Sequence, residues 1–442
     1  MQQFTDIISA IADFLWGWPL LIMLLGTHLF LTFRLAFIQR HIHKGIKMSV
    51  KPEKKSTGDI SPFSALATSL AATIGTGNIV GVATAVSMGG PGAIFWMWIT
   101  GIFGIATKYT ESLLSVYYRV KNADGTYSGG PMYVIERGLH CKWLAVLFAA
   151  FTVLASFGIG SSIQANSLTA ALNYGFGMSP LYCSIIVTIG VGAVIIGGIK
   201  SISSVCKALV PFMGFFYIIG CVALLIIGHE SLAPSIRLII DSAFNPSAAG
   251  GAFAGMSIIM TARYGVARGL FSNESGLGSA PIVAASAQTS TPVKQAMISA
   301  TGTFWDTVVV CALTGLVIVN TGVWNNGGEG MSMTKEAFSQ IPVVGGYFLC
   351  VALVTFTFST ILGWYLYAEK CVQYLFGNKG ILPYRVIYLI TVFLGGILSL
   401  KLVWALGDIF NGLMALPNLV SLILLSGLAA WLTKKHKSNF CS

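Results

Sequence analysis

The feature that most limits what this chain can fold into is a succession of apolar runs, each long enough to cross a bilayer. Read as spans they number eleven, at about 16–37, 63–88, 92–117, 143–173, 181–199, 208–228, 251–287, 297–320, 346–368, 384–401 and 403–432. In hydrocarbon no water is at hand for backbone amides and carbonyls, so spanning segments are helices or closed barrels. Runs of this length without strict alternation predict helices. Of the 442 residues 55% are hydrophobic and 9% charged, against roughly 25% charged in soluble domains. The chain therefore reads as an all-α polytopic membrane protein set in the lipid bilayer.

The net charge of +11 would suggest nucleic acid in a soluble protein, but the placement of the charge gives a better account. With the N-terminus outside and the C-terminus in the cytoplasm, nineteen of the 26 basic residues fall in inner loops, among them Arg40, Lys51, Arg119, Lys207, Lys370 and Lys434. Only Arg237, Lys335 and Lys401 fall in outer loops. That asymmetry sets the expected orientation, and nucleic acid is not expected as a partner. Asp6 and Asp13, without a basic residue, give the first fifteen positions the wrong charge for a secretory signal. The eight cysteines are scattered with no CxxC spacing and read as small apolar packing residues. No phosphate-binding loop appears, which argues against a self-contained ATP-driven pump.

Inside the second run stands Thr73-Ile-Gly-Thr-Gly-Asn-Ile-Val-Gly81. Glycines flanking polar residues at mid-span predict a broken helix, tolerated at bilayer depth where it lines a buried cavity. Gly75 and Gly77 permit close approach of a ligand. The half-helix after the break offers amides to a carboxylate, and Asn78 offers a hard oxygen to a small cation. The bland alternative is a helix-packing face with Thr73, Thr76 and Asn78 as interhelical glue. A second break is expected in Arg268-Gly-Leu-Phe-Ser-Asn-Glu-Ser-Gly-Leu-Gly-Ser-Ala-Pro281, where Phe271 walls a pocket and Asn273 lies near an ion. Glu274 is read as the partner of Arg268 in a structural clamp, with roles toward substrate or protons as alternatives.

The segments at Gly75 and Gly276 share Gly, Gly, Val and Ala at one offset of 201 residues, and their spans run in opposite directions. This predicts an inverted repeat: residues 1–60 an extra helix and basic cytoplasmic loop, 61–250 five helices, and 251–442 five more. Gln164, in mid-span, is a candidate to hydrogen-bond a small zwitterion, and Asn166 a bridge between helices. Adjacent hydroxyls at Ser359 and Thr360 would make an oxygen cage for a sodium-like ion beside carbonyls of the first break, or would bond back to their own helix. Trp364 could cap the pocket. Lys108 and Glu111, three apart, are expected to pair on one helix face. Asp306 and Asp408 stand alone and read as interhelical hydrogen-bonding groups. The loop at 321–345 holds either a short amphipathic helix or a solvated coil.

The runs Ala67-Thr-Ser-Leu-Ala-Ala-Thr-Ile-Gly-Thr-Gly-Asn-Ile-Val-Gly81, Gly89-Gly-Pro-Gly-Ala-Ile-Phe-Trp-Met-Trp98, Tyr127-Ser-Gly-Gly-Pro-Met-Tyr133 and Arg268–Pro281 resemble the alanine/glycine:cation symporter family. The resemblance covers nearly the whole chain. It implies a sodium-coupled symporter for alanine, often glycine, in a bacterial or archaeal cell membrane, with a LeuT-like fold of five-plus-five helices, two of them broken, and one extra N-terminal helix. It implies that substrate meets Gly75, Thr76, Gly77, Asn78, Gln164, Phe271 and Trp364. One sodium would lie near Thr73, Asn78 and Asn273, and a second near Ala71, Ile74, Ser359 and Thr360. A monomer is expected, and no enzymatic activity. A proton-coupled transporter using Glu274, Asp306 or Asp408 is the nearest alternative, and a channel a more distant one.

Overall fold

The computed structural model describes residues 2–51, 56–250, 257–398 and 401–436. The expected span 251–287 begins outside that set, the expected span 384–401 includes residues 399–400 outside it, and Lys54, Lys55 and Lys437 lie outside it. The chain opens with α1 (Gln2–Leu15) and α2 (Trp18–Arg34), then α3 (Ile42–Ser49). The first broken helix is α4 (Pro62–Thr73), a wide turn at Gly77–Gly81, and α5 (Val82–Gly89), bent by 53° at the break. Then come α6 (Ala93–Tyr117), α7 (Pro131–Gly138), α8 (Lys142–Ala155), a wide turn at Ser156–Ser162, and α9 (Ile163–Phe176). Helices α10 (Pro180–Ile195), α11 (Gly198–Ile227) and α12 (Leu232–Phe244) follow.

The second broken helix is α13 (Ile258–Asn273) and the short α14 (Pro281–Ala284), joined by seven non-helical residues, 274–280. After it come α15 (Pro292–Thr303), a wide turn at Phe304–Cys311, α16 (Ala312–Asn320) and α17 (Gly330–Phe338). Helices α18 (Gly345–Phe376), α19 (Ile381–Gly395), α20 (Lys401–Leu424) and α21 (Ser426–Lys435) complete the chain. Local chemistry sets the boundaries that matter for the site. Ser61 caps α4 by accepting from Ser64 N–H at 3.1 Å, with Pro62 at the first helical position. Ser257 caps α13 in the same way.

Among the described residues six helical stretches are long and apolar enough to cross a membrane, seven when the bent pair counts as one span, where eleven runs were read from sequence. The difference has local causes. Helix α10 is only 16 residues long, α13 is interrupted before it reaches span length, and the expected spans 346–368 and 384–401 share one continuous stretch, Gly345–Gly395. The first span also begins earlier than residue 16. Gln2–Leu15 forms a helix that packs against α20, with Ala12 buried and Ile7, Ile11 and Phe14 left exposed, and Trp16 donates its indole N–H to the Asp408 carbonyl at 2.8 Å. The 321–345 segment does form a helix. Helix α17 lies on the half of the first broken helix that follows the break, with Met333 and Phe338 fully buried and Thr334 donating to the Ile79 carbonyl at 3.4 Å.

Candidate functional site

The first break is organised by one side chain. Asn78 accepts from Gly75 N–H at 2.9 Å through Oδ1 and donates through Nδ2 to the Asp306 carboxylate at 2.7 Å. Its amide therefore does for the unwound backbone what an intrahelical bond would otherwise do. Asp306 also accepts from Ser272 Oγ at 2.9 Å and Thr307 Oγ1 at 2.7 Å. This ties both broken helices to the wide turn at Phe304–Cys311, and Asn78, Ser272, Asp306 and Thr307 are all buried. Sequence reasoning left Asp306 isolated, because its partner Asn78 lies 228 positions away.

Next to the break, Ala72, Thr73, Gly75, Thr76, Gly77, Ile159, Gln164, Phe271, Glu274, Thr360 and Trp364 enclose a cavity of about 10 Å³ measured to the centre of a water-sized sphere, the space of about one water. Six of the seven expected substrate residues line it, and Asn78 stands behind them. Gln164 donates to Thr76 Oγ1 and to the Ile159 carbonyl, each at 3.2 Å, while its buried Oε1 has no donor. The wide turn at Ser156–Ser162 brings Gly160 against Trp364, where an added Cβ would sit 2.5 Å from the indole's Cβ. Asn166 bridges α9 to the Gly395 and Leu398 carbonyls, both at 3.2 Å. Phe271 separates this cavity from a second one of about 100 Å³, lined by Asp13, Trp16, Arg263, Arg268 and Asp408 among others.

A cluster of oxygens sits on the far side of Gly75. Thr360 Oγ1 lies 3.1 Å from the Ala71 carbonyl and 3.3 Å from that of Ile74, and Ser359 Oγ lies 3.2 Å from the Ala71 carbonyl. The same hydroxyls also bond back to Phe356 in their own helix, at 2.8 and 3.0 Å. The two sequence readings are thus compatible: the back-bond fixes each rotamer and leaves the oxygen aimed across at α4. The other expected ion residues are less gathered. Thr73 Oγ1 bonds back to Ser69 and Leu70 carbonyls at 3.3 Å, and Asn273 Oδ1 accepts from Ser275 N–H at 2.9 Å. Among the described residues no hydrogen bond joins these two to Asn78.

Two expected charge pairs take other forms. Glu274 does not pair with Arg268. Six residues apart, they point to different sides of the helix, and Glu274 caps it in a left-handed conformation (φ 54°), accepting from Ser279 and lining the small cavity. Nor does Glu111 pair with Lys108. Its Oε1 accepts from Gly276 N–H and Gly278 N–H, both at 3.0 Å, and from Asn418 Nδ2 at 2.7 Å. Both glycines have positive φ (92° and 84°), so a carboxylate from α6 holds the second break open at amides that no helix satisfies. Lys108 Nζ is buried without a hydrogen-bond partner.

The ends of both broken helices are fastened together away from the cavity. Arg119 donates to the carbonyls of Ala285 (3.0 Å), Ala287 (2.8 Å) and Thr57 (2.9 Å), and to Thr57 Oγ1 (2.9 Å). Its guanidinium stacks over Tyr127, 4.6 Å from the ring centre. Residues 57–60 and 287–289 meet in two β-bridges, with Gln288 N–H donating to the Ile60 carbonyl at 2.8 Å. The residue pair Val120–Lys121 and its partner Tyr127–Ser128 form the small hairpin that carries Tyr127.

Two broken helices around a small polar cavity are a transporter's architecture, and comparison with known proteins agrees. The chain is 51% identical to an uncharacterized transporter of Haemophilus influenzae over 98% of its own length and 96% of that protein's. It is 47% identical to the sodium/alanine symporter AgcS of Methanococcus maripaludis, over 98% of this chain and 97% of the other. Its fold matches that of MhsT, solved in complex with L-phenylalanine, at a TM-score of 0.56 with 14% identity, covering 85% of this chain and 98% of MhsT. The fold is LeuT-like, and the chain is a multi-pass secondary transporter, not an enzyme. Residues 1–440 match the sequence profile of the sodium:alanine symporter family, and the chain belongs to that family.

Proposed function

We propose that the protein carries alanine or glycine into the cell together with sodium, by alternating access around the cavity at the two breaks. The observation that carries this reading is the adjacency of two features on either side of Gly75. One is a polar cavity lined by Gly75, Thr76, Gly77, Gln164 and Trp364, and the other is a cluster of neutral oxygens at Ala71, Ile74, Ser359 and Thr360. The first amides of the half-helix beginning at Gly77 suit a carboxylate, and the unpaired Oε1 of Gln164 suits an ammonium. Oxygen ligands suit a hard cation. A first ion is assigned near Thr73, Asn78 and Asn273, with Asp306 as a further ligand. A second is assigned at the oxygen cluster. The asymmetry of basic residues between loops supports an N-terminus outside, and the halves 61–250 and 251–442 act as the inverted repeats. Inward sodium movement supplies roughly 2.3 kcal/mol per charge for each 100 mV, nearly fiftyfold accumulation at about 1.4 kcal/mol per decade.

The test is alanine uptake into proteoliposomes under an inward sodium gradient, compared with potassium and with a proton gradient. Saturable accumulation with sodium alone supports the reading, and accumulation with protons alone overturns it. Proton coupling is the second reading. It draws on Glu274 and Asp306, two buried carboxylates whose hydrogen-bond donors are all neutral. Under proton coupling, Glu274→Gln or Asp306→Asn abolishes uptake driven by a pH gradient. Flux without saturation or accumulation would indicate a channel.

A further inference from the structure

Helix α4 has one flank that the rest of the protein does not seal. Between α3, α4, α11 and the wide turn at Phe304–Cys311 runs a crevice of about 300 Å³ with apolar walls that include Leu66, Leu70, Phe215 and Trp305. It reaches Ile74, whose carbonyl belongs to the oxygen cluster. Its other end merges, through Ser49, Val50 and Phe63, with a hollow of about 390 Å³ whose mouth carries Lys51, Lys207 and Gln288. Both volumes fall in the range of ligand sites, about 300–1,000 Å³. Part of the room comes from Gly214 in α11, where an added Cβ would meet no atom within 4 Å. Lys51 and Lys207 are exposed, and neither has an acidic partner among the described residues.

We propose that this crevice holds one anionic phospholipid of the inner leaflet, its phosphate between Lys51 and Lys207 and one acyl chain along α4 as far as Ile74. An apolar shaft with a cationic mouth matches an amphiphile with a negative head. A zwitterionic lipid fits the shaft equally well but brings its own ammonium against the two lysines. The inner-leaflet assignment rests on the orientation proposed above, whereas the binding itself does not. Because the chain lies on the half-helix that leads into the first break, occupancy braces α4 against tilting away from α11.

The experiment uses the purified full chain in neutral detergent, with thermal unfolding and native mass spectrometry in the presence of dioleoyl phosphatidylglycerol or dioleoyl phosphatidylcholine. Phosphatidylglycerol is expected to raise the unfolding midpoint and to remain bound as one copy, and phosphatidylcholine to do neither. In Lys51→Ala/Lys207→Ala the preference falls roughly twenty- to thirtyfold, from about 1 kcal/mol for each lysine near an anionic headgroup at about 1.4 kcal/mol per decade. Gly214→Leu fills the shaft and removes the bound copy while leaving both lysines in place. Equal shifts with the two lipids, or an undiminished preference in the double-lysine variant, overturn the proposal. Neither readout depends on uptake, so failure here is distinct from failure of the symport reading.

Discussion

Replacing Gly75 with alanine tests the link between the break and the oxygen cluster. Gly75 has no positive φ, so alanine suits its backbone and the effect is steric. The added Cβ would stand 2.5 Å from Thr360 Oγ1, about 1 Å inside ordinary contact. The hydroxyl has to swing away, and in doing so it leaves the carbonyls of Ala71 and Ile74, now at 3.1 and 3.3 Å. Overpacking of this kind costs about 1–3 kcal/mol. If that cost falls on the sodium-bound state, the half-saturating sodium concentration rises by roughly five- to 150-fold. The assay is sodium titration of alanine uptake in proteoliposomes, repeated in a Thr360→Ala background. There the colliding oxygen is gone, and Gly75→Ala should add less than about a twofold change, the signature of a coupled pair. A wild-type sodium curve for Gly75→Ala, or the same shift in both backgrounds, refutes the reasoning.

Three other substitutions probe separate parts of the site. Asn78→Ala orphans Gly75 N–H and removes a donor from Asp306, at about 1–3 kcal/mol for each buried group. Uptake should fall to background with a lowered unfolding temperature, and wild-type uptake would remove Asn78 from the mechanism. Trp364→Ala deletes the indole that closes the small cavity, so larger neutral amino acids such as leucine should begin to compete for alanine uptake. Unchanged competition would place the size limit elsewhere. Arg119→Ala removes four hydrogen bonds between the two broken helices. Hydrogen exchange of the amides of Asp59, Gln288 and Thr289, each bonded across that junction, should speed up at least tenfold while those of α18 hold.

Much of this was legible because polar residues and glycines at mid-span have few structural uses. The Gly75–Asn78 break could be read from its own residues, and Gln164 from one amide in an apolar helix. What could not be read has a common cause, namely partners on the main chain or far along the sequence. Glu111 is three residues from Lys108, so pairing was the natural expectation. Its actual partners are glycine amides 165 and 167 positions away, exposed only because the second helix is unwound there. Arg268 and Glu274 are close in sequence but separated by the turn of the helix. Helix α1 was missed because Asp6 and Asp13 lower its mean hydropathy, although one of its faces is apolar.

Three of the four acceptors that Arg119 engages are carbonyl oxygens, of Ala285, Ala287 and Thr57, and the fourth is the Thr57 hydroxyl. Carbonyls carry no proton to gain or lose in the physiological range, and a guanidinium does not give one up. A fastening of this kind stays indifferent to the acidity around it. It also tolerates changes of side chain at positions 285 and 287, because the bond is made to atoms that every residue possesses. Such a junction is undone by moving the backbone itself, which is the displacement that parting the ends of the two broken helices requires. Natural variation at those two positions would therefore say little about their importance, and the genetic burden of the fastening would fall on residue 119 and on the Thr57 and Tyr127 side chains that meet it.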